Sequence, residues 1–417
     1  MASPAPTSTL VLRSSKSRTS ILTTAILGAL TLMFALPAQA QTFTVLHTFG
    51  GSDGEYPYTG VTITSGGNLY GTTSRGGTYQ GGVAYELKHS GSVWSFMLLY
   101  QFGNGSDGSS PYASLVFGPD GALYGTTALG GSGNGTAFNL QPPAAVCKTT
   151  RCLWHESTIW SFQGSDGSLP AYGALAFDQQ GNGYGTTQYG GTNNKGTVYK
   201  LTRQGQQWTE TVLYSFGSTA TDGYYPLHNV VLDHAGNLYG TTYQGGANGG
   251  GAVFQLVPAG GSWTENIITS FPAGAEPQAG LIIDASGNLY GATTGIGASG
   301  TSEVFELSPS GNSWQLSSVH AFPTTSQFNF GPVGNLVMDH NGNLFGATYS
   351  LGVHGKGNIF ELTPSGNSWT YIDLYDFRGG SDGGGPIGDL NLDANGNVYG
   401  TTQNDGTGLG VVWELAP

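Results

Sequence analysis

Between residues 229 and 271 the apolar positions fall into four short bursts. "NVVLD" (229–233) is β-branched, and "LYGTT" (238–242) follows it across the turn "HAGN". "GAVFQL" (251–256) comes after a glycine-rich loop, and "WTENIITSF" (263–271) alternates apolar with polar after "PAGGS". Short runs of period two, punctuated by Gly, Pro, Asn and Asp, predict strands; no stretch here carries the 3.6 period of a helix. We name the four strands A, B, C and D.

The same order recurs along the chain. "GNLYGTT" at 67–73 and 236–242 has relatives at 121–127, 181–187, 287–293, 342–348 and 396–402. The strand B aromatics Tyr70, Tyr124, Tyr184, Tyr239, Tyr290, Phe345 and Tyr399 lie 54, 60, 55, 51, 55 and 54 residues apart. A period of this size marks a repeat architecture, and four antiparallel strands per period describe a propeller blade. Strand D is expected at Trp94, Trp160, Trp208, Trp263, Trp314 and Trp369, whereas the last copy stops after its strand C, "GVVWELAP". An orphan D-like strand, "FTVLHTF" (43–49), opens the chain instead. The reading is an all-β, seven-bladed β-propeller of four-stranded antiparallel blades. Residues 41–417 form one domain, and the N-terminal strand closes the last blade, which removes a free sheet edge.

Local chemistry accounts for much of the phrase. In "DxxGN" the carboxylate can accept turn N–H groups while Gly or Asn takes positive φ. Asp178, Asp233, Asp284, Asp339 and Asp393 hold that place; Thr64 and Gly118 replace it in the first two copies. The strand B aromatic is expected between neighbouring blades, and the glycine after it is expected to allow close backbone approach.

Composition changes the picture at the ends. Arg13, Lys16 and Arg18 precede an uncharged run from Ile21 to Leu36, followed by Pro37-Ala38-Gln39-Ala40. This pattern reads as an export signal, residues 1–40, cut between Ala40 and Gln41. The run is short for a span of roughly 20 residues, so no membrane insertion is expected once the signal is removed. The leader holds three of the 12 basic residues and none of the 25 acidic ones, which leaves the mature chain at −16. That charge makes nucleic acid a poor partner. Cys147 and Cys152 in "VCKTTRC" are expected to form a small disulfide loop in an exported protein.

Strand parity places the D-to-A and B-to-C connections on one face. There "SDG" or "TDG" recurs, with Asp53, Asp107, Asp166, Asp222 and Asp382 as a ring of carboxylates. Tyr58, Tyr112, Tyr172 and Tyr225 stand close beside them. Carboxylates accept from sugar hydroxyls and tyrosine rings stack on sugar faces, so the set suits glycan binding. The competing reading is that each Asp forms its own turn. No pair of carboxylates is singled out for a glycosidase, although Glu55, Glu276 and Asp222 are conceivable partners. His228, His234 and His340 are scattered, one Asp per loop is too few for tight calcium, and no metal or cofactor is expected.

"GNLYGTT", then "GG", then "GxVFxL" or "GTVYKL", resembles the GloVer tandem repeat (Gloeo_Verruco type) of exported bacterial proteins. The resemblance runs through 43–417, carried by the sevenfold recurrence. It implies export and repetition, and it supplies no catalytic residues. The "DxxGNLY" turn is also similar to NHL-type propellers, by analogy. The function expected is an exported, non-catalytic binding propeller, a monomer, for glycans or another extracellular macromolecule such as a protein. The alternatives are a carbohydrate-active enzyme (hydrolase or lyase) and a purely structural surface protein.

Overall fold

Strand B is buried along its whole length in every blade, and the reason lies in its glycine. In the computed structural model Leu69–Thr73, Leu123–Thr127 and Gly183–Thr187 have no exposed residue, and neither do the four later copies. The glycine pairs in register with an aromatic of strand C: Gly71 with Tyr85, Gly185 with Tyr199, Gly400 with Trp413. A Cβ on Gly185 would stand 2.4 Å from the Tyr199 hydroxyl oxygen, and one on Gly400 would stand 2.3 Å from the Trp413 ring. The glycine therefore makes room for a ring of its own blade; the close approach expected from sequence is to a side chain. Each such ring is fully buried, and burial of this size contributes roughly 1.5–3 kcal/mol.

The structure describes residues 41–417 apart from 92, 104, 144–152, 171, 206, 296–301, 324–329 and 405–407. The leader, Cys147 and Cys152 lie outside the described residues. Thr42–Ala416 form one compact unit of seven antiparallel sheets in the order A-B-C-D, a seven-bladed propeller with no helix among the described residues. Strand A is shorter than its apolar run, two paired residues such as Val231–Leu232. Blade four carries two extra short strands, Gly223–Tyr224 and Gln244–Gly245.

The A-to-B turns behave as the spacing predicts. Asp233 Oδ1 accepts the N–H groups of Ala235 and Asn237, and Oδ2 accepts Asn237 Nδ2 and the Tyr239 hydroxyl at 2.7 and 3.0 Å. Gly236 supplies the positive φ of 83°. Thr64 substitutes by accepting the Asn68 N–H, and in blade two Asp120 takes over by accepting the Tyr124 hydroxyl at 2.9 Å.

Neighbouring blades are joined in two places. Toward the axis, the residue before a recurrent proline adopts positive φ: Tyr56, Ser110, Leu169, Tyr225 and Glu276 lie between 50° and 62°. A residue before proline disfavours the α regions, and this conformation costs on the order of 1 kcal/mol. It is held by backbone bonds to both sides. Leu169 N–H donates to Asn134 of the preceding blade at 2.9 Å, and its carbonyl accepts Gln188 N–H at 3.1 Å. The proline then lies against the glycine that opens the preceding blade's strand C; a Cβ on Gly135 would meet Pro170 Cδ at 2.6 Å.

The second seam is outermost. Every pairing of strands C and D carries a bulge, at Leu46, Leu99, Ile159, Leu213, Ile268, Val319 and Leu374. Four residues before the position that follows each bulge, strand D presents a side chain to the previous blade's strand D. Phe96 stacks on His47 at 4.4 Å, and Tyr371 stacks on His320 at 4.4 Å. In blades two to four this slot holds Glu156, Glu210 and Glu265. The strand B aromatics also reach across, Tyr239 to Trp314 at 5.8 Å and Tyr399 to Trp94 at 6.3 Å. In blade two the equivalent tryptophan is Trp154, against Tyr70 at 6.0 Å, not Trp160. The insertion carrying the cysteines hid that register, and the "TIWSF" of strand D offered a second tryptophan in its place.

Blade seven closes through β1 (Thr42–Thr48), which pairs antiparallel with the C-terminal strand Val411–Ala416. Phe43 stacks on Tyr375 of blade six at 4.0 Å and 6°, and Tyr56 N–H donates to Leu409 at 2.9 Å. Both seams therefore continue across the junction of the chain ends. Deleting residues 41–50 should lower the melting temperature by more than 10 °C or abolish soluble protein, read by differential scanning fluorimetry of the purified chain.

The glutamate slot gives a pH dependence. Burial, with Asp107, Asp166 and Asp222 adding repulsion, raises Glu156 to about 7, Glu210 to about 8 and Glu265 to about 7. A carboxyl whose folded pKa is raised stabilises the fold fully below its unfolded value, and the contribution disappears as pH rises through the folded value. His228 and His320, lowered by burial, act in the opposite sense, so the readout is a difference. Wild type should lose stability relative to the Glu156→Gln, Glu210→Gln, Glu265→Gln triple variant between pH 5 and pH 9, followed by urea denaturation at each pH.

Candidate functional site

The bulge in strand D re-aims one side chain toward the D-to-A loop, and there it meets the recurrent aspartate. Tyr100 donates its hydroxyl to Asp107 at 3.1 Å, Trp160 its Nε1–H to Asp166 at 3.0 Å, Tyr214 to Asp222 at 3.0 Å and Tyr375 to Asp382 at 3.0 Å. In blade seven His47 Nε2 takes the part, 2.9 Å from Asp53. Each carboxylate also accepts a backbone N–H of its own loop: Gly50, Gly103, Gln163, Ser218 and Arg378, at 2.7–2.9 Å. For Asp53, burial pushes the pKa upward, but the bonds from His47 and Gly50 prevail and hold it below the usual carboxylate value. The five aspartates thus stand at the outer strands, each engaged in its own turn.

The tyrosines go elsewhere. Beyond each proline the chain runs to the propeller axis before it enters strand A. Counting back three residues from the buried Val61, Leu115, Leu175, Val230, Leu281, Leu336 and Leu390 gives one slot per blade. Tyr58, Tyr112, Tyr172, Leu227, Gln278, Val333 and Ile387 fill it, and all seven line one cavity of about 270 Å³. Tyr58 and Tyr112 meet edge to face at 5.2 Å, and Tyr112 and Tyr172 lie at 5.4 Å and 33°. The structure brings these three together and leaves Tyr225 out: it packs on Tyr189 at 5.1 Å and accepts from Lys195 Nζ at 3.2 Å, outside the lining. None of the five aspartates lines the cavity.

Polar groups converge below the tyrosines. Thr59, Ser114, His228 and Asp389 line the cavity from the one or two residues that follow the slot, before strand A begins, and Gln188 and Tyr243 enter from the B-to-C loops. Asp389 Oδ1 accepts the Asn335 N–H at 2.9 Å, and Oδ2 accepts the Ser114 hydroxyl at 3.3 Å. Asn335 in turn accepts from Gly280 N–H at 2.6 Å and donates Nδ2 to Asn229 at 2.8 Å. This chain of bonds links blades two, four, five, six and seven around the axis. His228 is 8 % exposed, and its Nδ1 has no hydrogen-bond partner among the described residues. Burial lowers its pKa against the upward pull of Asp389, so the ring is neutral at pH 7. Burial, with the neighbouring tyrosines, pushes Tyr172 up to about 12, and burial raises Tyr58 as well. These phenols stay protonated and can donate.

Sequence reasoning set His228 aside as a scattered histidine and missed Asp389, Gln188, Tyr243 and Gln278. A signal for three of these five was present. Aligning the repeats on the proline and on the apolar residue before strand A isolates a short stretch whose chemistry changes from blade to blade while these two flanking positions hold constant. His228, Gln278 and Asp389 sit in that stretch; Gln188 and Tyr243 sit on loops of unequal composition and leave no comparable trace.

Asp166→Ala removes the acceptor of Gln163 N–H and Trp160 Nε1–H. It should cost about 1 kcal/mol in urea denaturation, the scale of a net hydrogen bond, whereas Asp166→Asn should retain most of that stability. Asp389→Ala leaves Asn335 N–H unpaired near the axis and should cost more, about 1–3 kcal/mol.

Comparisons with known proteins agree with this architecture. The chain superposes with a TM-score of 0.55 on a protein from Lactobacillus plantarum, at 15% identity, covering 81% of this chain and 89% of that one. It superposes at 0.53 on an ulvan lyase, a polysaccharide lyase bound to a saccharide of glucuronic acid and sulfated rhamnose, at 12% identity over 87% and 94% of the two chains. A structure described as a 6-phosphogluconolactonase from Bacteroides uniformis gives 0.50 at 13% identity, over 76% and 84%. Identities this low show the fold alone. No curated protein matches the chain. The model of the Gloeobacter/Verrucomicrobia repeat family matches residues 26–153 and 144–330, and the chain belongs to that family.

Proposed function

We propose that this protein is an exported, monomeric binding propeller that takes the end of an extracellular glycan into its axial cavity and does not turn it over. The observation that carries the reading is the lining of that cavity, where three contiguous tyrosines stand over convergent hydroxyl, imidazole and carboxylate groups. A sugar offers an apolar face for the rings and hydroxyls for the polar floor. The leader pattern of residues 1–40, with a cut between Ala40 and Gln41, delivers the chain out of the cytoplasm.

A carbohydrate-active enzyme is the second reading, favoured by the lyase and lactonase propellers that share the fold. The cavity's chemistry supports it less. A tyrosine acting as base at neutral pH needs a lowered pKa, and Tyr58, Tyr172 and Tyr243 are all raised, chiefly by burial. A glycosidase needs two carboxyl groups facing one bond, and among the described residues Asp389 is the one carboxylate of the lining.

A glycan array followed by titration calorimetry tests the reading, with reducing-end release measured on the same mixtures. The expected result is saturable binding without new reducing ends, weakened at least tenfold by Tyr112→Ala, with thermal stability within a few degrees of wild type. Release of product abolished by the same substitution would overturn the non-catalytic part, and binding indifferent to Tyr112→Ala would overturn the site.

A further inference from the structure

We infer that the axial cavity selects the uncharged end of a glycan and rejects acidic sugars; this rests on the glycan reading above. The ionisable groups of the lining are four tyrosines, one histidine and one carboxylate. Asp389 places a negative charge at the floor, where its two oxygens already accept from Asn335 N–H and the Ser114 hydroxyl. The remaining ring nitrogen chemistry belongs to His228, neutral at pH 7 because burial lowers its pKa. A uronate or sulfate entering this cavity would leave water, meet no lysine or arginine among the described residues of the lining, and face a carboxylate. Loss of water and charge repulsion both oppose an anion; a neutral hydroxyl escapes the repulsion and loses far less on leaving water.

Among the described residues that line the cavity there is no lysine or arginine. Arg75 lies over the Tyr56 ring at 5.7 Å, and Lys195 lies 4.2 Å from the centre of the Tyr224 ring while donating to Tyr225. A neutral sugar finds what it needs: phenol hydroxyls that stay protonated as donors, the amides of Gln188 and Gln278, and the unpaired Nδ1 of His228. The acidic saccharide bound by the ulvan lyase propeller is the kind of ligand this lining refuses, although the two chains share a fold.

The experiment is titration of the full mature chain at pH 7.5 and 150 mM salt with matched tetrasaccharides. One set is neutral (glucose, galactose and mannose chains) and the other is acidic (glucuronate, galacturonate and mannuronate chains). Wild type should bind at least one neutral member, at least tenfold more tightly than the acidic counterpart of that sugar. Gln278→Lys, which sets an ammonium at the cavity wall, should narrow or reverse that ratio without lowering the melting temperature. Acidic chains bound as tightly as neutral ones, and lost in Tyr112→Ala, would overturn the charge selection while keeping the cavity as a glycan site. Binding of no member, or binding untouched by Tyr112→Ala, would overturn the glycan reading and this inference with it.

Discussion

Everything in this propeller depends on a glycine of strand B lying beneath an aromatic ring of strand C. The pairing recurs in all seven blades, from Gly71 under Tyr85 to Gly400 under Trp413. At every one of these glycines a Cβ would fall within 2.7 Å of the ring. A side chain there would push the ring off its strand or the blade off its neighbour. With the ring seated, strand B is buried on both faces and can stand in the middle of a blade while its next residues, threonines, tie back to strand C. The hydroxyl of Thr187, for example, meets that of Thr197 at 2.8 Å. The high glycine content of the chain is therefore a condition of close packing, and the aromatics are what the glycines make room for.

Much of this was legible in the sequence because the repeat writes it seven times. Periodicity gave the blade count, the four bursts gave the strands, and the displaced "FTVLHTF" gave the closure. The turn carboxylates were legible too, since "DxxGN" carries its own mechanism. What stayed hidden was radial position. Asp107 and Tyr112 are five residues apart in sequence, yet one caps a turn at the outer strand and the other looks onto the axis. Nothing in local chemistry says that the chain travels the width of a blade between them. The proline is the marker: outside it the loop is a turn, inside it the loop is a wall. Trp160 shows the converse hazard, a residue of the expected type at the wrong register, where Trp154 does the packing.

The same short connection performs three physical tasks in order. Its first residues bond the bulged ring of strand D to an aspartate. Its middle residue, held at positive φ, hydrogen-bonds to two blades at once. Its last residues face the axis. Strain at the middle position is tolerated because the backbone bonds on either side leave it no relaxed alternative, and blades six and seven avoid it by placing Gly331 and Gly385 there. The outer and middle tasks are alike in most blades, so selection for stability constrains them. The third is not.

That difference is how a sevenfold scaffold comes to have one site with a direction. Identical residues at the axial slot would present a ligand with seven equivalent poses and fix none of them. Here three successive blades contribute tyrosines, and the other four contribute Leu227, Gln278, Val333 and Ile387. The cavity therefore has an aromatic side and an aliphatic side. The floor repeats the asymmetry one layer down: Ser114, Asn229, Asn335 and Asp389 are joined by hydrogen bonds, while Gly60, Ala174 and Gly280 of the same layer bring only backbone or a methyl group. A ligand that stacks on the tyrosines must turn a hydroxyl toward His228 or leave its buried Nδ1 without a partner, a loss comparable to that of a buried hydrogen bond. Orientation follows from the breaking of symmetry, and the blades can break it freely at these positions because none of them belongs to the glycine–aromatic pairs that hold the ring together.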